Sequence, residues 1–349
     1  MTGFHTARIV SLAVLAAAAL AATAAAPAAA ATTYTITDLG SLGLEETVGS
    51  AINATGQVTG YSYLSTLVPT PACPPVYGNN KKNCVEHPWH AFAYSNGQMT
   101  DLGTVGGGNF SAGSAINRSG WVAGGSATKN GGSDAFLWNG QKMIDLGGLA
   151  PLAGSDSRAN GINDNGQAVG QWGTSNTPDH AFSYSNSTIT SLPEPGFTGS
   201  SGCEAGAINN TGQIAGVCSD TSGSDHLGLW HNGTVTDLGT LGGATFIQAV
   251  SINNKGQIVG TVFTGGTSEG FLYSNGTITN LGGFLAASIN DNGVMVGGPQ
   301  IDSGGTVQNL NDLIPAGSGY QIQDATAIND NGQIVANTTS NHALLLTPS

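Results

Sequence analysis

The sequence predicts an all-β protein made of seven copies of one four-stranded unit, and three observations carry that prediction. First, Ile-Asn recurs at Ile52, Ile116, Ile162, Ile208, Ile252, Ile289 and Ile328, each Ile followed four positions later by Gly, as in "INDNGQAVG" from Ile162. Second, three further pieces, "GQIVG"-like, "HAFLW"-like and "TDLG"-like, accompany each Ile-Asn, so all four pieces occur seven times. Third, the ends are complementary: after Thr33 the chain opens with "YTITDLG", a fourth piece without the other three, and it closes with "INDNGQIVANTTSNHALLL", three pieces lacking the fourth.

Each piece is short, apolar or aromatic, and bounded by Gly, Asn or Asp, which is the grammar of a β-strand. The third piece reads "HAFAY" at His90, "DAFLW" at Asp134, "HAFSY" at His180, "HLGLW" at His226, "EGFLY" at Glu269 and "HALLL" at His342, with a degenerate copy near Pro299 to Ser303. Between the third and fourth pieces stands "SNG", "WNG" or "HNG". Asn-Gly takes positive φ at both turn positions and closes a tight hairpin. Between the first and second pieces "DNG" or "NTG" makes another tight turn. Each unit is therefore an antiparallel meander. A lone meander leaves one apolar face open, and stacking units cover each other's faces. Four strands and about 45 residues per unit are the dimensions of a β-propeller blade. Small Ala and Ser beside Ile-Asn suit an innermost strand crowded near the axis. The alternatives are an open β-solenoid, or six blades with one degenerate unit. The complementary ends favour a seven-bladed ring whose last blade takes its outer strand from the N-terminus.

Residues 1–31 carry Arg8, a Leu/Val/Ala stretch and small residues at Ala29 to Ala31, the pattern of a secretory signal peptide. The apolar run from Ile9 to Leu20 is short for a membrane span. Residues 32–349 are then a single exported propeller domain. Loss of the segment leaves seven basic against twenty-one acidic residues, a formal charge of −14. With so few, scattered cations, nucleic acid is a poor partner; membrane insertion is not expected, and the chain is expected to be a monomer. Four cysteines in an exported chain suggest disulfides, Cys73 with Cys84 and Cys203 with Cys218. The spacing of Cys73, Cys84, His87 and His90 also fits zinc. An oxidising compartment favours the disulfide, so no metal is assigned there.

The stretches "HAFAYSNGQMTDLGTVGGGNFSAGSAINRSGWVAGGS" and "LWHNGTVTDLGTLGGATFIQAVSINNKGQIVGTV" resemble the HAF repeat of predicted extracellular bacterial proteins, named for the His-Ala-Phe at His90 and His180. The resemblance covers essentially the whole mature chain. It implies secretion and a repeat fold, and no agreed biochemical activity.

Repeated residues make poor catalytic candidates, because a fold needs its repeat in every blade and an active site needs a group once. The Asp of "DLG" and the Asn of "IN" are expected to bond their own turns, and the His that begins the third piece to be structural. Turns such as "NDNG" at Asn163 offer oxygens to Ca²⁺, but no bidentate acid follows, so no cofactor is expected beyond a weak Ca²⁺ possibility. "GTSEG" from Gly266 and "SATK" from Ser126 match catalytic patterns without the helices those patterns require. The connections of variable length all emerge on one face of the ring. The longest, Ser62 to Trp89, contains the Lys81–Lys82 pair. Tyr77, Trp89, Trp172 and Phe197 stand in or beside these loops, where aromatic rings and Lys81 and Lys82 could hold a ligand. The expected function is a secreted binding module for carbohydrate or a cell-surface partner. The alternatives are a polysaccharide hydrolase or lyase, and a structural surface protein with no small ligand.

Overall fold

The computed structural model describes residues 32–69, 85–129, 131–174, 177–196 and 200–349, which form seven four-stranded antiparallel sheets. From inner to outer strand, blade 1 takes Thr47–Ile52, Val58–Tyr63, Trp89–Ser95 and Gln98–Asp101, and blade 2 takes Ser111–Ile116, Val122–Ala127, Ser133–Trp138 and Met143–Asp145. Blade 3 takes Asp156–Ile162, Ala168–Thr174, Thr177–Ser185 and Thr188–Ser191, and blade 4 takes Ser200–Ile208, Ile214–Asp220, Asp225–His231 and Thr234–Asp237. Blade 5 takes Phe246–Ile252, Ile258–Thr264, Thr267–Ser274 and Thr277–Gly282, and blade 6 takes Ser288–Ile289, Met295–Gly297, Gln300–Ser303 and Thr306–Asn309. Blade 7 takes Ile322–Ile328, Ile334–Thr338 and Ala343–Pro348 and borrows Tyr34–Asp38 as its outer strand.

The borrowed strand pairs antiparallel with the last one, Tyr34 opposite Pro348 through Asp38 opposite Leu344. The innermost strands touch their neighbours all the way round, blade 7 meeting blade 1. The protein is thus a closed seven-bladed β-propeller, and no blade count of six is needed. No helix among the described residues is long and apolar enough to cross a membrane. The core lies between blades. Leu137 and Leu146 of blade 2 pack with Phe182 and Tyr184 of blade 3, and the third-strand aromatics Phe92, Phe136, Phe182 and Phe271 are fully buried, as is Trp230.

The recurring glycine of the second strands follows from one local feature. The innermost strand bulges just before its Ile-Asn, for instance between Gly49 and Ala51 in blade 1 and between Ala205 and Ala207 in blade 4. The bulge pushes a carbonyl into the second strand. A Cβ on Gly60 would collide with the Val48 carbonyl oxygen, and one on Gly216 with that of Glu204. The third-to-fourth turns have the expected positive φ, 51° at Asn96 and 79° at Gly97. Cys203 and Cys218 face each other across the first and second strands of blade 4 and are joined by a disulfide. Cys73, Cys84 and residues 1–31 lie outside the described residues.

Candidate functional site

The meander sends both kinds of tight turn to one face of the ring and all variable connections to the other. On the tight-turn face, the Asn of each Ile-Asn is buried. Its Oδ1 accepts two backbone N–H bonds of its own turn: Asn209 Oδ1 takes those of Thr211 (3.1 Å) and Gln213 (2.9 Å), and the other blades repeat this. Its Nδ2 does something the sequence reading did not anticipate, donating to the backbone oxygen of the equivalent Asn in the next blade. Asn53 donates to Asn117 at 2.8 Å, Asn117 to Asn163 at 3.1 Å, and Asn163 to Asn209 at 3.1 Å. Asn209 donates to Asn253 at 2.9 Å, Asn253 to Asn290 at 2.9 Å, Asn290 to Asn329 at 3.0 Å, and Asn329 back to Asn53 at 3.0 Å. A closed circle of hydrogen bonds therefore surrounds the axis. These carboxamides are committed to the fold, including those in the "NDNG" turns considered for Ca²⁺. Among the described residues no group of three or more His, Cys, Asp or Glu is placed to hold a metal ion.

Near the blade rims, the Asp of "DLG" caps its turn as expected, Asp101 Oδ1 taking the Gly103 N–H at 2.7 Å and Asp237 Oδ1 that of Gly239 at 2.7 Å. In three blades the same carboxylates hold the histidines, and in blade 3 Glu194 does so. His90 Nδ1 lies 2.8 Å from Asp101, His226 Nδ1 3.0 Å from Asp237, His342 Nδ1 2.8 Å from Asp38, and His180 Nδ1 3.0 Å from Glu194. In blade 5 the pair is Asn280 donating to Glu269 at 2.7 Å. So the His position is structural: its partner is the acid at the end of the adjoining strand in blades 1, 4 and 7, and in blade 3 an acid three residues past that strand. His90, set in a zinc-like spacing, is bound to Asp101. Burial works to raise the Asp101 carboxyl, but His90 and the Gly103 N–H hold it below its ordinary value. Asp38 is likewise held low against burial by the Gly40 N–H, Tyr320 and His342. Blade 2 breaks the pattern: Asp134 stands in the His position, and burial together with Asp145 and Asp156 pushes its carboxyl up.

On the variable-loop face, Tyr61 and Tyr63 alternate onto one side of their strand, and Trp89 lies directly opposite Tyr63. Phe110, at the entry to blade 2, bridges to Trp89. Ring centroids are 5.4 Å apart for Tyr63 and Trp89, 6.1 Å for Tyr61 and Trp89, and 4.0 Å for Trp89 and Phe110. All four residues are partly exposed. Burial, the neighbouring Tyr61 and the negative charges of Glu46 and Glu86 raise the Tyr63 hydroxyl, so it stays a neutral donor beside two carboxylates. Trp172, the other described aromatic candidate, behaves differently. It packs on the core between blades 2 and 3 and its ring meets His180 at 4.8 Å. Tyr77, Phe197, Lys81 and Lys82 lie outside the described residues. Tyr61, Tyr63 and Phe110 escaped the sequence reading, although "YSY" spaces two aromatics onto one strand face.

Glu204, on the innermost strand of blade 4, is pushed up by burial and by Asp179 and Asp225, with a Gln171 hydrogen bond offsetting part of this. The two motif matches are accounted for by packing. Ser126 Oγ is buried and accepts the Val105 N–H at 2.9 Å, and "GTSEG" runs from a hairpin turn into the third strand of blade 5.

A family described as "Protein of unknown function (DUF3466)" matches residues 243–343. No curated protein matches the chain. Among solved structures the chain is similar to YCF48 bound to D1 peptide, with 12% identity over 93% of this chain and 99% of that one and a TM-score of 0.52. It also resembles virginiamycin B lyase from Staphylococcus aureus with quinupristin, with 12% identity, 90% and 100% coverage and a TM-score of 0.48. A third likeness is to the β-propeller domain of the Trilobed protease from Pyrococcus furiosus, at 7% identity over 54% of this chain and a TM-score of 0.37. This chain spans only 50% of that one. At such identities the likeness establishes the propeller fold alone.

Proposed function

We propose that this protein is an exported propeller of the HAF-repeat type that binds carbohydrate through its variable-loop face. The observation that carries the reading is the wall of Tyr61, Tyr63, Trp89 and Phe110 with Glu46 and Glu86 beside it. Partly exposed aromatic rings stack on the C–H face of a sugar, and carboxylates and a neutral tyrosine bond its hydroxyls. The disulfide in blade 4 supports an oxidising, extracellular setting. The test is binding of the protein to a broad glycan array, with the supernatant assayed for released oligosaccharide. Selective retention that falls at least roughly tenfold in both Trp89→Ala and Tyr61→Ala, the loss of about one stacking anchor, supports the reading. Thermal melts confirm that the variants stay folded. Released oligosaccharide would instead identify a hydrolase or lyase. Retention indifferent to both substitutions would overturn the assigned wall.

A further inference from the structure

Outside the buried asparagine circle, the tight-turn face carries a second ring that is incomplete. It is made by the residue following each buried Asn. The Arg118 N–H donates to Asp164 Oδ1 of the next blade at 2.7 Å, Asp164 N–H to Asn210 Oδ1 at 2.9 Å, and Asn210 N–H to Asn254 Oδ1 at 2.8 Å. Asn254 N–H donates to Asp291 Oδ1 at 2.7 Å, and Asp291 N–H to Asp330 Oδ1 at 2.8 Å. The pattern then stops. Asp330 faces Ala54, whose methyl accepts nothing, and Ala54 faces Arg118, whose guanidinium only donates. The break thus leaves the backbone N–H groups of Asp330 and Ala54, two consecutive ring positions, with no side-chain oxygen to meet them, next to Arg118, the one cationic side chain among the seven ring positions. All three border a cavity of about 180 Å³ at the mouth of the axis.

We propose that this break is a binding notch for a ligand carboxylate. The molecule supplies the template: at five joints an acid or amide oxygen occupies this position, 2.7–2.9 Å from the same backbone N–H. A carboxylate seated at the break takes the place of the side chain that Ala54 lacks, accepts the Asp330 N–H with one oxygen and the Ala54 N–H with the other, and pairs with Arg118. The flanking acids are already engaged: Asp330 Oδ1 holds the Asp291 N–H, and Asp164 Oδ2 takes Asn210 Nδ2 at 2.8 Å. The carboxylate can belong to an acidic peptide side chain or to a uronic acid, and the notch recognises the group common to both.

The test is amide NMR of the full protein titrated with capped aspartate or with galacturonate, using capped asparagine and galactose as neutral matches. The Ala54 and Asp330 amide resonances are expected to move with the carboxylates and stay still with the neutral probes. The tighter of the two acids identifies the source. Arg118→Gln should weaken binding by up to roughly fivefold, the scale of one exposed ion pair. Ala54→Asp should fill the notch from within, slow exchange of the Asp330 amide and abolish the titration. Neutral probes acting equally, carboxylates leaving both amides unmoved, or a titration persisting in Ala54→Asp would each overturn the proposal. Trp89→Ala should leave this titration unchanged, so it fails or succeeds independently of the aromatic wall on the other face.

Discussion

The two faces of this ring are built from the same repeat and differ in what their polar groups are free to do. On the tight-turn face almost every side-chain amide is spent: each buried Asn caps its own turn and reaches into the next blade, so the groups that define the repeat are consumed in holding it together. On the variable-loop face the shared bonding ends at the Asp caps and His–Asp pairs where the connections begin, and beyond them aromatic and acidic groups remain partly exposed at Tyr61, Tyr63, Trp89 and Glu86. In a repeat protein, repetition therefore marks structure, and departures from it mark where recognition has room to evolve. The gap at Ala54 extends the same rule to the regular face, since the site proposed there sits where the pattern is broken.

The comparison can be broken most sharply by removing one member of the asparagine circle. Asn209→Ala deletes the acceptor for the Thr211 and Gln213 N–H groups and the donor to Asn253, and leaves one buried carbonyl and two half-buried N–H groups short of these partners. Unsatisfied buried groups cost about 1–3 kcal/mol each, so a loss of roughly 3 kcal/mol in unfolding free energy is expected. Ser222→Ala, in an exposed turn of the other face, removes hydroxyl bonds to Asp220 and Ser224 that lie in solvent and should cost under about 0.5 kcal/mol. Denaturant melts that return equal losses would mean the circle is not what stiffens the ring.

How much of this was legible in the sequence depended on distance along the chain. Bonds within a turn were readable, because Asn209 to Thr211 and Asp101 to Gly103 span two residues and follow from side-chain chemistry. Blade closure was readable from two incomplete fragments, since Tyr34–Asp38 and Ala343–Pro348 each lacked what the other had. The circle was not, because the Asn209 donor finds its acceptor 44 residues away and only the stacking of blades brings them together. The His–Asp pairs lay between these cases. His90 and Asp101 are 11 residues apart, as are His226 and Asp237 and the substituted pair Glu269 and Asn280, so joint variation at a fixed offset was a usable signal. Trp89 and Trp172 looked equivalent as loop aromatics. Packing separated them, because Trp172 falls against the Leu152 core and Trp89 against other exposed rings.

A half-buried acid on the variable side of the blades should gain stability when neutralised, where loss of a circle asparagine costs it. Glu204 has a raised carboxyl, so its ionised form costs stability above the ordinary carboxylate range. Glu204→Gln should gain roughly 1 kcal/mol at neutral pH, the scale for one poorly satisfied buried polar group, and nothing under acid conditions. Unchanged neutral-pH melts would show that the charge is compensated by solvent.

The rim pairs supply a smaller, pH-dependent effect. Asp101 is held below its ordinary value, so it contributes stability that is present above the unfolded carboxyl range, near pH 3.9, and lost as pH falls through the lower folded value. His90→Ala removes one of the two groups that lower it, and the acid limb of the stability curve should move to higher pH. With the Asp101 side chain 40% exposed, solvent screening keeps the effect below about 1 kcal/mol.

The smallest effect is expected where blade 2 departs from the rim pattern, and its sign is the informative part. Asp134 occupies the position that His fills in blades 1, 3, 4 and 7, and it faces Asp145 and Asp156 with a carboxyl raised by burial and by those two charges. A raised folded value means the ionised side chain opposes folding at neutral pH, and the penalty vanishes as pH falls below the ordinary carboxyl range. Asp134→Asn keeps the shape and removes the charge, so it should stabilise by a few tenths of a kcal/mol at neutral pH, the worth of a partly exposed charge contact, with no gain in acid. His90→Ala and Asp134→Asn should therefore move stability in opposite directions at neutral pH, although both alter the same place in the repeat. If Asp134→Asn instead destabilises at neutral pH, the Asp134 carboxylate makes a favourable contact that outweighs its repulsion from Asp145 and Asp156, and the departure in blade 2 is a structural one.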